Sequence, residues 1–115
     1  MNKSADLLLD SHITIVGLGL MGGSLALALQ DKCAGITAVE IDSYIRHIGL
    51  ERGLVDHTTK SLEDGVKHAD ILVLATPVRA ILETLEDLTR LSDHANRTLL
   101  VMDLGFSESD DSFIY

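Results

Sequence analysis

The sequence predicts an α/β fold built on a doubly wound parallel sheet of about five strands. Three observations predict it. Short β-branched or continuous apolar runs alternate with Leu- and Ala-rich amphipathic stretches from His12 to Asp103. A glycine cluster, Gly17-Leu18-Gly19-Leu20-Met21-Gly22, joins the first run to the first amphipathic stretch. An acid, Glu40, closes the second run eighteen residues beyond Gly22. The order is βαβαβαβαβ, and right-handed crossovers then leave little besides a sheet wound in the Rossmann manner.

His12 to Val16 is a β-branched run ending abruptly in glycine, which reads as a buried strand. From Ser24 to Gln30 the residues are good helix formers, with Leu25 and Leu29 one turn apart on one face. Gly35 marks a loop. Ile36 to Ile41 reads as the second strand, carrying Glu40 in its last part. Asp42 or Ser43 can cap a helix running to about Arg52, with Ile45 and Ile48 inward and Gly53 as its stop. Val55 to Thr59 is a weak third strand. Ser61 with Asp64 forms a variant of the capping box before Leu62, Val66 and Ala69. Ile71 to Ala75 is uniformly apolar, as expected of a central parallel strand covered on both faces. Thr76 and Pro77 supply an N-cap and a first-turn proline for a helix with the stripe Val78, Ile81, Leu82, Leu85 and Leu88. Thr98 to Asp103 is the fifth strand. Residues 1–105 thus read as one dinucleotide-binding domain, and 106–115, with Glu108, Asp110, Asp111 and three serines, as an acidic disordered tail.

Composition narrows the function classes. Eighteen acidic against nine basic side chains give a net charge of −9, which disfavours nucleic acid and anionic membrane surfaces. Helix N-terminal N–H groups can still hold a local anion such as a pyrophosphate. The lone cysteine, Cys33, forms no internal disulfide, so a reducing, cytoplasmic setting is the default, and nothing nearby suggests a metal site. The uncharged run from Ile13 to Gln30 carries four glycines and is preceded by Asp6 and Asp10, which argues against a signal peptide or membrane span. At 115 residues the chain is short for a complete cofactor-dependent enzyme.

Gly17-x-Gly19-x-x-Gly22 gains weight from its context between strand and helix. Gly17 is expected to permit the tight turn, Gly19 to let a pyrophosphate approach the backbone, and Gly22 to let the helix pack on the strand. The N–H groups of Leu20 and Met21 would face the diphosphate. Glu40 would accept hydrogen bonds from both adenosine ribose hydroxyls and repel an added phosphate, so the cofactor is expected to be NAD rather than NADP. Asp42 competes for that role, but its position suits a helix cap. The plainer reading of the glycines is a turn that binds nothing. Thr76 and Pro77, at the carboxyl end of the fourth strand, fit a helix cap and a cofactor contact equally well. His12, His47, His57, His68 and His94 read as surface residues, none paired with a carboxylate or cysteine at ligand spacing. Arg79 reads as solvated rather than as a substrate contact.

The segments Ile13-Thr14-Ile15-Val16-Gly17-Leu18-Gly19-Leu20-Met21-Gly22-Gly23-Ser24-Leu25-Ala26, Gly53-Leu54-Val55-Asp56 and Ala69-Asp70-Ile71-Leu72-Val73-Leu74-Ala75-Thr76-Pro77-Val78 together resemble the prephenate and arogenate dehydrogenases of tyrosine biosynthesis. The resemblance covers about His12 to Gly105. It implies an NAD-dependent oxidative decarboxylation, a small anionic substrate, and a homo-oligomer formed through a helical C-terminal domain. It also implies a serine and a histidine base after the fifth strand. There this chain departs: Phe106-Ser107-Glu108 follows Gly105 where the family has Ser-x-Lys, and no His-Pro segment follows. No catalytic residue is therefore assigned. The expectation is a truncated or frameshifted chain, or an isolated domain, inactive by itself and lacking the helical domain. The alternatives are the cofactor domain of a hydroxyacid or imine-reducing dehydrogenase, and a stand-alone nucleotide-sensing module.

Overall fold

The computed structural model describes residues 8–75, 86, 90 and 100–103. Its strands are β1 (His12–Val16), β2 (Gly35–Val39), β3 (His57–Thr59), β4 (Ile71–Leu74) and β5 (Leu100–Asp103); its helices are α1 (Leu20–Ala28), α2 (Ser43–Glu51) and α3 (Leu62–Val66). The strands form one sheet in the order β3-β2-β1-β4-β5, every pair parallel. This is the expected Rossmann arrangement. Winding runs outward from β1 in both directions, so the carboxyl ends of β1 and β4 flank the point where chain direction reverses, the usual crevice for ligands.

The period-2 alternation of β1 sorts its side chains onto two cores. Ile13 and Ile15 join Ile36, Ala38, Val73 and Ala75 under α1 and α2, with Ala26 fully buried and Leu25, Leu29 and Ile45 packed at the rim. Val16 meets Val39, Leu72 and Leu74 on the opposite face, against Leu62 and Val66 of α3. Full burial of Ile15, Leu72 and Leu74 contributes about 1.5 to 3 kcal/mol apiece. Thr14 is the one buried polar residue among those described. Its hydroxyl donates to the Gly65 carbonyl oxygen at 2.7 Å, so the group is not left unsatisfied. Gly65 is needed there because a Cβ would run into the Val39 methyl.

Several boundaries differ from the sequence reading. Helix α1 starts at Leu20, inside the glycine cluster, rather than after Gly22. Strand β2 starts at Gly35 and stops at Val39, which leaves Glu40 just beyond it. The Glu40 N–H still donates to Thr59 O at 2.9 Å. The carbonyls of Glu40 and Ile41, however, are taken by Arg46 Nη1 at 2.7 and 2.8 Å, which ends the ladder. Strand β3 is only His57–Thr59, because Val55 turns into the core and the Asp56 carboxylate accepts the Ile36 N–H at 2.8 Å. The caps hold as read. Asp42 Oδ1 accepts from the N–H groups of Tyr44 and Ile45, Ser61 Oγ accepts from that of Asp64, and Gly53 follows α2 with φ +69°. Residues 98–99, the helix expected after Pro77 and the tail at 106–115 lie outside the described residues. No described helix is long and apolar enough to cross a membrane.

Candidate nucleotide site

The site sits where β1 ends beside β2. Gly17 donates to Val39 O at 2.8 Å and takes φ +93°, a conformation that costs a side-chain-bearing residue about 1 kcal/mol or more. The chain thereby doubles back over the strand end. Leu18 drops its side chain into the core, where its Cδ2 lies 2.7 Å from the position a Cβ on Gly49 would occupy. This anchor was missed at the sequence level, because the motif treats the position as free.

Gly19 is the N-cap of α1, extended at φ −77°, with no side-chain cap. The N–H groups of Leu20, Met21 and Gly22 find no acceptor among the described residues; the first helical bond runs from Gly23 N to Gly19 O at 2.7 Å. No acidic side chain stands in this first turn to answer the positive end of the helix. Leu20 is 86% exposed and Met21 is exposed, while Gly22 is buried against β1. The three N–H groups form an uncompensated anion cradle. Gly22 is pressed on β1: a Cβ there would collide with the Gly17 carbonyl oxygen and stand 3.1 Å from Ile15 Cγ2. A Cβ on Gly19 would meet nothing within 4 Å. Neither packing nor backbone conformation calls for glycine at Gly19, and its missing side chain leaves clear space above the cradle.

Glu40 faces the same turn. Its Oε1 accepts the Leu18 N–H at 2.9 Å and its Oε2 accepts the Asp42 N–H at 3.0 Å. The carboxylate thus ties the glycine turn to the start of α2, a link that spacing alone did not reveal. An ionised carboxylate has about four lone-pair sites, so two remain for an incoming ligand. Asp42 spends Oδ1 on the helix cap.

Elsewhere the chemistry is sparse. His12 and His57 begin strands and His68 precedes one, so these three lie towards the amino ends, away from the cradle. His47 corrects the reading that no histidine is paired: its Nε2 lies 2.9 Å from Glu51 Oε2, one helical turn on, with both side chains exposed. A cavity of about 610 Å³ near the amino ends is lined by His12, Thr14, His57, Gly65 and His68, so volume alone does not mark the site. Among the described residues no group of three or more His, Cys, Asp or Glu could hold a metal. Burial pushes the Cys33 thiol up, opposed by a hydrogen bond with the Gly35 backbone and reinforced by the Asp56 charge. Thr76, Pro77, Arg79 and His94 lie outside the described residues.

Comparison with known proteins gives the family. Residues 25–107 match the family model described as prephenate dehydrogenase, nucleotide-binding domain. The match begins beyond the glycine turn, but a longer alignment includes most of the chain: prephenate dehydrogenase of Bacillus subtilis (strain 168) is 35% identical over 107 residues, 91% of this chain and 27% of the relative. Among solved structures, Synechocystis arogenate dehydrogenase superposes with a TM-score of 0.71 at 35% identity, over 82% of this chain and 32% of that one. The prephenate dehydrogenase of Aquifex aeolicus, solved with hydroxyphenyl propionate and NAD+, gives 0.70 at 29% identity, over 83% and 33%. The chain spans about a quarter of the length of the curated relatives it matches.

Proposed function

The chain belongs to the prephenate dehydrogenase family, matching its nucleotide-binding domain, and on that premise we propose that it binds NAD as the cofactor domain of an enzyme that oxidatively decarboxylates prephenate or arogenate. The observation that carries the binding step is the row of N–H groups on Leu20, Met21 and Gly22, without acceptors among the described residues, above a turn held by Gly17 and Glu40. A pyrophosphate laid on that row would accept three hydrogen bonds and meet the positive helix end, with Gly19 giving it clearance. The two remaining lone-pair sites of Glu40 suit the adenosine ribose hydroxyls, and its charge disfavours a phosphate on the same ribose. Thr76 and Pro77 would border the site from the end of β4. A glycine turn bonded in advance to Glu40 through the Leu18 N–H needs little rearrangement on binding, which lowers the ordering cost.

When bound, the dinucleotide supplies the hydride acceptor. This chain's part would be to hold it through the N–H groups of Leu20, Met21 and Gly22 and the Glu40 carboxylate, at the carboxyl ends of β1 and β2. His12, His57 and His68 lie towards the amino ends of the strands and His47 is paired with Glu51 on α2, so none of them is proposed as the base that would deprotonate the ring hydroxyl. The substrate-binding half, the homo-oligomer and a cytoplasmic setting belong to the same proposal, supported by the family.

ADP-ribose tests the reading directly. It lacks the nicotinamide but keeps every group assigned a partner here, so it should compete with NAD for the chain. Failure to compete would remove the cradle from the binding role. With NAD and either prephenate or arogenate added, the chain alone should produce no NADH absorbance. Turnover at ordinary dehydrogenase rates would place the catalytic groups within these residues.

A further inference from the structure

The geometry points to Arg46 as a second specificity-determining residue at the ribose end: a cation able to seat a 2′-phosphate, overridden in this chain by Glu40. The inference rests on the dinucleotide reading above. Arg46 lies one turn into α2, and its part-buried side chain runs back so that Nη1 donates to Glu40 O at 2.7 Å and Ile41 O at 2.8 Å. Those two bonds fix the guanidinium at the turn that presents the Glu40 carboxylate. They use one nitrogen; Nε and Nη2 have no acceptor among the described residues.

Glu40 and Arg46 flank the same turn, yet they form no ion pair. The carboxylate is turned to the N–H groups of Leu18 and Asp42, the guanidinium to the carbonyls of Glu40 and Ile41, and the one described salt bridge is that of His47 with Glu51. Opposite charges held six residues apart and kept from each other leave both available to a ligand. The carboxylate takes hydroxyls. The planar fork of arginine, always charged, matches a phosphate. With both present, the acid nearer the ribose decides against NADP. With the acid neutralised, the cation remains to accept it.

The test is calorimetric titration of NAD and NADP into the full chain, its E40Q, R46M and E40Q/R46M variants, and E40Q/R46K. E40Q should shift the NADP-to-NAD preference towards NADP by roughly tenfold to a hundredfold, the value of a hydrogen bond to a charged group. In the R46M background the same substitution should shift that ratio by less than in the wild-type background, because only the repulsion and hydroxyl bonds of Glu40 are then lost, and the difference should exceed the roughly twofold scatter expected of additive changes. E40Q/R46K, which keeps the charge, should recover part of the shift. An arginine that only holds the turn would weaken both cofactors together in R46M and leave the E40Q shift intact; that result overturns the inference while NAD binding stands. A wild-type chain that melts cooperatively and binds neither cofactor overturns the dinucleotide reading, and this inference with it.

Discussion

Gly22→Ala and Gly19→Ala should separate folding from binding within one turn. At Gly22 the added methyl overlaps the Gly17 carbonyl oxygen, a backbone atom that cannot rotate away, and presses on Ile15 Cγ2 from 3.1 Å. Helix α1 would have to lift off β1. Overpacking of this kind costs roughly 1 to 3 kcal/mol, occasionally more. A backbone clash belongs at the upper end, and the helical preference of alanine over glycine returns about 1 kcal/mol. The net loss is then about 2 kcal/mol, or roughly 10 °C in Tm for a domain of this size. At Gly19 the methyl meets no atom within 4 Å and φ is −77°, so stability should stay within about 0.5 kcal/mol. That methyl instead enters the space assigned to the pyrophosphate, and NAD affinity should fall. Thermal melts and calorimetric titrations of the two variants read both quantities. Gly19→Ala binding NAD like the wild type, or Gly22→Ala melting within a degree or two of it, would refute the roles given to these glycines.

Asp42→Ala should cost about 1 kcal/mol by removing the cap that receives the N–H groups of Tyr44 and Ile45, seen as a lower urea midpoint. Because the folded pKa of Cys33 is raised, its contribution to stability is complete below the unfolded value, near 9.0, and is lost as pH rises through the folded one. Cys33→Ala should therefore flatten the decline of stability above that pH, and iodoacetamide should alkylate folded Cys33 more slowly than the urea-unfolded thiol at equal pH. Strand β5 is the edge of the described sheet and exposes Leu100, Val101 and Met102 in succession. Association that grows with concentration in light scattering, and is reduced by Val101→Lys, is the expected behaviour of such an edge.

Much of this architecture is legible from local chemistry. The runs at residues 13–16 and 71–74 read as strands from their β-branched and apolar character, and Asp42, Gly53 and Ser61 mark helix ends by groups that act within a few residues. The limits of β2 and β3 were not legible, because they depend on Arg46 folding back onto the carbonyls of Glu40 and Ile41 and on Asp56 reaching across to the Ile36 N–H. The same holds at the site. A glycine turn followed by a distant acid is visible as spacing, but that Glu40 grips Leu18 and Asp42, and that Leu18 is a core anchor, follows from the packing of α2 against the turn. The pairing of His47 with Glu51 was readable from their separation by one helical turn and was overlooked.

The most direct test of the account is the affinity of the purified chain for NAD and NADP, measured by calorimetry with and without Glu40→Ala. NAD should bind more tightly than NADP, and the substitution should weaken NAD by roughly tenfold to a hundredfold through loss of hydrogen bonds to a charged group. Equal affinity for the two cofactors in the wild type, or an unchanged affinity for NAD in Glu40→Ala, would contradict it.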